Sequence, residues 1–277
     1  MILREAIDFL QHELSNVPLL EEIVVNPNFT GVMLNNGEMG LAMNCRKGGT
    51  AISSQLAGFL GQQIGRNGLE AAEALSNSAD ILQNSIQVAL INALSNPFMQ
   101  EDYLSSHGFE VERGGQKYSA GLINEDESVG IVGFGGQVHN LAQKAKRVVV
   151  SELEPELFKS TIINSKGLEE GPSRAEIIQA DEAGDYFQMM DTILLTGCTL
   201  VTNTMEEVLK QCQGRRVIVY GCSAAFYPEP LLKRGVDILS TRQVTDPPLM
   251  LDLLKNCAGM VERFFPAASE ELLIKKQ

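Results

Sequence analysis

The chain has 277 residues, of which 44% are hydrophobic and 21% are charged, a composition typical of a globular protein with one large or two smaller domains. This composition excludes a collagen, a disordered tail and a disulfide-rich miniprotein. The 35 acidic residues outnumber the 22 lysines and arginines and give a formal net charge of −13. Because such a surface repels phosphate groups, we expect neither nucleic acid nor an anionic membrane as a partner.

The cysteines and the N-terminal segment bear on the cellular compartment. An odd number of cysteines without any C-x-x-C pair is typical of reduced thiols in a cytosol: Cys45, Cys198, Cys212, Cys222 and Cys257. The first residues lack the apolar core and cleavage site of a signal peptide, and no apolar run is long enough to span a membrane. We therefore expect a soluble, cytoplasmic protein. A metal held by protein side chains is not expected, because the cysteines are dispersed and histidines are few.

The N-terminal part combines helices with short strands. Apolar residues that recur at intervals of three and four predict a first helix that ends near Pro18. Its buried face would carry Leu3, Ala6, Ile7, Leu10 and Leu14. Strands follow in EEIVVN, GVML and MGLAM, and Asn36-Gly37 predicts a type I′ turn between the last two. A glycine-rich loop over 48–68 holds one short helix, from Gln55 to Gly61. A longer helix then ends at Asn96-Pro97, with one stripe of Leu82, Ile86, Leu90, Ala93 and Leu94.

The second part has a different pattern. Apolar runs of strand length alternate with helical segments such as MEEVLKQC and PLMLDLLKNCAGMVERFF; the runs are SVGIVGF, RVVVSEL, AEIIQA, DTILLTG, RVIVYG and VDILST. Continuous apolar runs indicate strands buried on both faces of a parallel sheet. The sequence therefore predicts a smaller α+β domain over residues 1–97 and a doubly wound α/β domain over residues 98–277. The polar, glycine-rich join lies between Pro97 and Glu127.

A glycine turn follows the first of these runs. Gly133, Gly135 and Gly136 stand between a strand and a helix, where a missing Cβ permits close approach of a ligand. The dinucleotide motif is incomplete, since Val138 occupies the place of its last glycine. A tight turn without a ligand is the alternative, and His139, three residues on, is better explained as a helix residue than as a base.

Two acidic residues follow the next two strands. Glu152 ends one strand about twenty residues beyond the glycines, where a carboxylate accepts hydrogen bonds from ribose hydroxyls, and Asp181 follows the next. With the glycine turn, they resemble the cofactor edge of Rossmann-like methyltransferases. That similarity implies S-adenosylmethionine or another nucleoside-containing ligand. The alternative is a pair of exposed acids on an acidic protein.

Two further turns carry small and polar residues at strand ends. The segment after DTILL holds Thr196, Gly197, Thr199, Thr202, Asn203 and Thr204, side chains suited to a ligand crevice. Thr204 also predicts a capping box with Glu207. The turn after RVIVY holds Gly221, Cys222 and Ser223, with Phe226 and Tyr227 as walls. Cys222 and Ser223 are weak candidates for a nucleophile, because no histidine in the sequence forms a convincing pair with them.

Three of these segments resemble a known family. The stretches TGCTLVTNTMEEVL, GCSAAFYPEPLLKRGVDIL and VTDPPLMLDLLKN look like the signature stretches of a family of bacterial and archaeal proteins described as "putative heavy-metal chelation", and NNGEMGLAMN resembles its preceding small domain. The resemblance implies an enolase-N-terminal-like α+β domain followed by a Rossmann-like domain, with a site between them. It also implies that a small chelating compound, related to a pterin, flavin or siderophore, is made or processed there.

The sequence thus favours an enzyme that acts on a small metabolite by condensation, hydrolysis or group transfer. Glu38 is the candidate catalytic residue from the small domain. The alternative is that Glu38 is only an exposed acid beside a turn. Thr199 and Asn203 would orient the substrate, Ser223 would donate hydrogen bonds and Glu152 would hold a diol. A non-catalytic protein that binds a metal chelate or metabolite is the rival, and a methyltransferase is a third hypothesis. A homo-oligomer is compatible with the sequence.

Overall fold

The computed structural model describes residues 1–45, 51–76, 78–114, 119–165, 167–172, 174–257 and 262–277. Its helices are α1 (Ile2–Glu13), α2 (Ser54–Gly61), α3 (Gly68–Ala74), α4 (Ile81–Ser95), α5 (Glu101–Ser106), α6 (Gln137–Lys144), α7 (Ala183–Phe187), α8 (Cys198–Val201), α9 (Met205–Gln211), α10 (Glu229–Leu232), α11 (Pro247–Asn256) and α12 (Phe265–Ala268). Its strands are β1 (Leu20–Val25), β2 (Phe29–Leu34), β3 (Met39–Met43), β4 (Phe109–Arg113), β5 (Ser128–Val132), β6 (Arg147–Glu152), β7 (Ser160–Asn164), β8 (Gly167–Gly171), β9 (Glu176–Gln179), β10 (Thr192–Thr196), β11 (Arg216–Tyr220), β12 (Ile238–Val244) and β13 (Ser269–Lys276).

The larger sheet has eight strands in the order β4-β13-β12-β11-β10-β5-β6-β9. The strands from β12 to β9 are parallel and coincide with the six apolar runs, which confirms the predicted doubly wound sheet. Two antiparallel strands, β13 and β4, extend it at one side. The polar segment expected to join the domains therefore contributes β4 to this sheet. Its alternating burial explains why it lacks a continuous apolar run.

The smaller sheet is the antiparallel meander β1-β2-β3, as the sequence predicts, but its turn is of another type. A type I′ turn needs positive φ at both central residues, whereas Gly37 has a φ of 86° and Asn36 has a negative φ. The Gly37 N–H donates to the Leu34 carbonyl at 2.9 Å. The loop is therefore a type I turn followed by a left-handed glycine.

Helix α4 lies at the centre of the smaller domain and is buried almost all around. The predicted apolar stripe is buried as expected, and so are most of its polar residues. These polar groups find partners in the structure: the Ser85 hydroxyl donates to Thr30 at 2.8 Å, and the Gln87 amide donates to the Ala72 carbonyl at 3.0 Å. Burial of this polar face is a tertiary feature, because the sequence pattern alone indicates a helix with one exposed side.

Two predicted segments lie only partly within the described residues. The glycine-rich loop is described from residue 51 onward, and its short helix is confirmed as α2. The predicted continuous helix before the C-terminus is wrong: α11 ends at Asn256, residues 258–261 lie outside the described part, and α12 begins only at Phe265. An additional antiparallel hairpin, β7-β8, follows β6.

Candidate functional site

The strand order of the larger sheet reverses between β5 and β10. From β5 the chain moves through β6 to β9 and then returns to the other side of β5 at β10. An open α/β sheet leaves a crevice at the carboxyl ends of the strands at such a point. The glycine turn after β5 and the turn after β10 meet there. A Cβ on Gly133, whose φ is +89°, would lie 3.1 Å from Cγ2 of Thr196. The structure thus brings two sequence-predicted positions together.

Glu152 ties the glycine turn to the end of β6. Its Oε1 accepts a hydrogen bond from the Phe134 N–H, and its Oε2 accepts one from the Leu153 N–H at 3.2 Å. The side chain is half-buried, and an ionised carboxylate has about four acceptor positions. The carboxylate therefore fixes the turn after β5 and keeps acceptor capacity for ligand hydroxyls.

An apolar surface adjoins this carboxylate. Leu153 and Leu157 are 63% and 68% exposed, and the Phe134 and Phe158 rings stack with their centroids 5.1 Å apart. On the other side of the turn, Gly136 faces open space. Exposed apolar side chains beside a hydrogen-bonding group are suited to a ligand that combines a flat ring with polar substituents.

The Tyr220 hydroxyl lies beside the glycine turn. A Cβ on Gly135 would lie 4.0 Å from the Tyr220 hydroxyl. Burial raises the pKa of the Tyr220 phenol, the nearby Cys198 and Glu152 raise it further, and a hydrogen bond with Thr196 opposes them. The phenol is therefore a neutral hydrogen-bond donor at physiological pH. Sequence reasoning did not select Tyr220, although its place as the last residue of a predicted strand was an available signal.

The end of β3 brings the smaller domain to the turn after β11. The Met43 N–H donates to Oγ of Ser223 at 2.8 Å. The Asn92 amide on α4 donates to the Leu41 carbonyl at 2.7 Å and to the Cys222 carbonyl at 3.0 Å. Buried polar groups need such partners, so these bonds fix the seam between the two sheets. Ser223 is buried, and its hydroxyl oxygen joins the domains.

The turns after β10 and β11 are themselves in contact. A Cβ on Gly197 would lie 3.1 Å from the Ala224 nitrogen and 3.3 Å from the Ser223 Cβ. Gly221, which precedes this second turn, has a φ of 101°, a conformation that side chains strongly disfavour. Gly197 is therefore needed for the close packing of the two turns, and Gly221 for the backbone conformation of the second turn.

Three cysteines converge at this seam, although the sequence shows them dispersed. Cys198 and Cys222 both lie close enough to Cys45 to influence its thiol. The interaction with Cys45 lowers the pKa of Cys198, against the effect of burial, while the interaction with Cys198 and burial raise the pKa of Cys45. Burial raises the pKa of Cys222 to about 12. No local signal in the sequence pairs these thiols.

Glu38 lies at the opposite end of β3 from this seam. It precedes Met39, whereas Met43 and Cys45 lie at the other end. At about 3.3 Å per residue the strand separates them by roughly 17 Å. The Glu38 carboxylate accepts a hydrogen bond from the Asn96 amide at 2.8 Å. The structure therefore separates Glu38 from the other predicted site residues, and its catalytic role is not supported by this placement.

The threonines after β10 mostly bond to one another. The Thr199 hydroxyl, which is buried, donates to the Thr196 carbonyl at 2.7 Å, and the Thr202 and Thr204 hydroxyls lie 2.9 Å apart. The Thr204 side chain makes no capping bond to α9, so the predicted capping box is wrong. Asn203 is exposed and has a φ of 58°, the left-handed conformation that asparagine tolerates best.

Two remaining candidates are solvent-facing. Asp181 is exposed in the short turn after β9, the strand next to β6, and so lies on the same sheet edge as Glu152. His139 is exposed on α6, and its ring lies 2.8 Å from the Gln143 amide. The predicted pocket walls, Phe226 and Tyr227, are buried in the core.

Two cavities lie away from this edge. One of about 350 Å³ is lined by residues of α2 and the start of α4, and one of about 440 Å³ lies between β1 and α2. Neither includes a residue of the strand-end turns.

Within the described ranges, no helix is long and apolar enough to cross a membrane. Nor do those residues include a group of three or more His, Cys, Asp or Glu side chains arranged to hold a metal ion.

Two family models match the chain, and both are described as "putative heavy-metal chelation". One matches residues 120–273 and the other matches residues 7–95. The first includes β5 and all the strand-end turns of the crevice, and the second includes β3 and α4. A search of curated proteins gives no match.

Two crystal structures of DUF364-family proteins of unknown function are similar over nearly the whole chain. The protein from Pyrococcus horikoshii is 18% identical, with a TM-score of 0.70 over 99% of this chain and 100% of that one. The protein from Desulfitobacterium hafniense is 17% identical, with a TM-score of 0.72 over 99% of this chain and 98% of that one. At these identities the similarity shows the fold.

Proposed function

The chain belongs to the family described as "putative heavy-metal chelation", and from that premise we propose that it makes or processes a small chelating metabolite at the carboxyl edge of its larger sheet. The ligand class we propose combines a flat ring with a diol, as nucleosides do and as relatives of pterins and flavins can. S-adenosylmethionine is the nucleoside-containing cofactor that the Rossmann-like arrangement favours.

The observation that carries this proposal is the place of Glu152. Its carboxylate stands beside the glycine turn at the point where the strand order reverses, half-buried, with exposed apolar side chains on one side. Ribose hydroxyls donate to an acid at this position of a Rossmann-like sheet. The stacked Phe134 and Phe158 rings support a flat group next to it.

The proposed roles of the chain's residues follow from their hydrogen bonds. Glu152 accepts from the ligand diol, backbone N–H groups of the glycine turn bind its polar end, and Tyr220 donates a hydrogen bond from the floor. The structural bonds of Ser223 and Thr199 support positioning roles for these two residues. The five free cysteines support a cytoplasmic location.

Thermal unfolding with a ligand panel tests this proposal. S-adenosylmethionine, adenosine, a pterin and a flavin mononucleotide are added separately at saturating concentration. A ligand at about 100 times its Kd stabilises the folded state by about 2.7 kcal/mol, which corresponds to a rise in Tm of roughly 5–10 °C for a chain of this size. A panel in which no ligand raises the Tm contradicts the proposal.

Glu152→Gln is the informative variant, since the amide oxygen can still accept the Phe134 N–H. It should lose most of the ligand-induced rise in Tm. Glu112→Gln on β4 is the control of equal charge change, because Glu112 is exposed on the edge strand at the other side of the eight-stranded sheet from β6. Equal ligand response in both variants would remove Glu152 from the site. Turnover of a bound metabolite would then distinguish the enzyme from a non-catalytic carrier.

A further inference from the structure

The glycine turn after β5 already binds a carboxylate of the protein itself. Oε1 of Glu152 accepts the N–H of Phe134, a residue of the turn, and Oε2 accepts the Leu153 N–H at 3.2 Å. In nucleotide-binding Rossmann sheets, the N–H groups of this turn and of the following helix bind the phosphates. Here a protein anion takes one of these donors, so a ligand phosphate at the turn would meet a like charge beside it.

The end of the neighbouring strand β9 adds two more carboxylates to this edge. Gln179 is the register partner of Glu152, and its side-chain amide donates to the Leu153 carbonyl at 2.9 Å. Asp181 and Glu182 stand in the short turn that follows, and both are exposed. Charges on adjacent strand ends are only partly screened at physiological ionic strength, where the Debye length is about 8 Å. Together these side chains make the electrostatic potential beside the glycine turn negative.

The described cations at the strand ends are already paired with carboxylates. The segments that follow the parallel strands are 133–136, 153–159, 180–182, 197–204, 221–228 and 245–246. Their one lysine or arginine is Lys159, whose Nζ lies 2.6 Å from Oε1 of Glu156 and 3.8 Å from Oε2 of Glu170. Arg242, near the end of β12, lies 2.7 Å from Oε1 of Glu271. Within these described segments, a ligand phosphate therefore has no unpaired counter-charge.

We propose that the crevice selects ring-and-diol ligands of neutral or positive charge and rejects their phosphate esters. This inference rests on the proposed function, because it specifies which members of the proposed ligand class bind. It favours nucleosides and S-adenosylmethionine, which carries a sulfonium and an ammonium group, over nucleotides and flavin nucleotides. Val138 agrees with this selection, since it replaces the glycine that permits close packing of helix on strand in dinucleotide-binding sheets.

Matched ligands with and without phosphate test the selection. Titration calorimetry of the intact chain measures the Kd of adenosine against AMP and of riboflavin against flavin mononucleotide. We expect each ester to bind at least about tenfold more weakly than its parent, because like charges a few Å apart repel strongly at a protein surface. Glu152→Gln should narrow this ratio, whereas Glu112→Gln, on the distant edge strand β4, should leave it unchanged. An ester that binds as tightly as its parent overturns the selection.

A second measurement reads the charge of the crevice without any bound ligand. Cationic and anionic nitroxides of equal size are added to the 15N-labelled protein, and the paramagnetic relaxation of the Gly135 and Gly136 amide protons is compared. The cationic probe should relax them at least about threefold more strongly, and Asp181→Asn should lower this ratio. A ratio of one or less overturns the selection even when a nucleoside binds. The expected ratio with no binding by any ligand supports the charge selection and contradicts the proposed function alone.

Discussion

Replacement of Gly40 by alanine should strongly destabilise the protein, because β3 lies directly against the backbone of α4. A Cβ at this position would approach the Ala89 carbonyl oxygen and the Ala93 nitrogen more closely than real Cβ contacts allow, and would lie 3.0 Å from the Asn92 Cβ. Backbone atoms of a buried helix cannot rotate away as a flexible side chain does. Helix α4 would therefore have to move away from the sheet.

The magnitude follows from the contacts that this movement affects. Overpacking of a core costs about 1–3 kcal/mol, and the hydrogen bond from Asn92 to the Leu41 carbonyl contributes about another 0.5–1.5 kcal/mol. We expect Gly40→Ala to lower the free energy of unfolding by about 2–4 kcal/mol, out of a typical total of about 5–15 kcal/mol. Urea denaturation followed by circular dichroism measures this change.

Gly58→Ala is the matched control, since Gly58 lies within α2 and, outside its own helix backbone, no atom of the described residues is within 4 Å of the position that its Cβ would take. Alanine at a helical position without steric conflict stabilises by about 0.4–1 kcal/mol. The same substitution is thus expected to have opposite signs at the two sites. A Gly40→Ala protein within about 1 kcal/mol of the wild type would refute the close packing of α4 on β3.

Three other substitutions probe the seam, a strained turn and an ion pair. Ser223→Ala leaves the Met43 N–H without its acceptor and should lower the free energy of unfolding by about 1–3 kcal/mol; an unchanged midpoint in the same urea assay would refute this role of the hydroxyl. Gly221→Ala should cost about 1–3 kcal/mol through backbone strain alone, because φ is 101° and the space is open; an unchanged Tm would contradict this reasoning. Glu5, whose pKa is lowered mainly by its hydrogen bond with Arg234, adds stability above its unfolded pKa that is lost as the pH falls through the lower folded pKa. Because Glu5 is 42% exposed, Glu5→Gln should cost less than about 1 kcal/mol at pH 7. This difference should begin to shrink below about pH 4 and vanish once the pH is below the lowered folded pKa.

Local patterns were sufficient to predict most of the fold. The six parallel strands were identified because burial on both faces requires continuous apolar runs, such as the one that became β6. Antiparallel β4 was missed because its burial alternates. The continuous helix after Pro247 was predicted too long, and the capping box at Thr204 was wrong because its hydroxyl bonds to Thr202 instead.

The candidate site was predictable in part. Glu152 and the glycine turn could be placed on one edge because the carboxyl ends of parallel strands share that edge. The polar run from Thr202 to Thr204 was interpreted as a ligand site, whereas its hydroxyls pair locally. A sequence does not distinguish a hydroxyl that meets a ligand from one that stabilises its own turn, since the same residue types serve both purposes.

The sequence by itself determined the two kinds of sheet, the central helix and the grouping of polar strand ends, because each depends on periodicity or on residues near each other in the chain. Only the tertiary structure decided that Glu38 lies at the opposite end of β3 from the seam, bonded to Asn96, and that Met43 meets Ser223. These outcomes depend on how β3 packs against the turns after β10 and β11. Contacts between segments so distant in sequence leave no periodic signal, so the seam could be recognised only after the domains had been assembled.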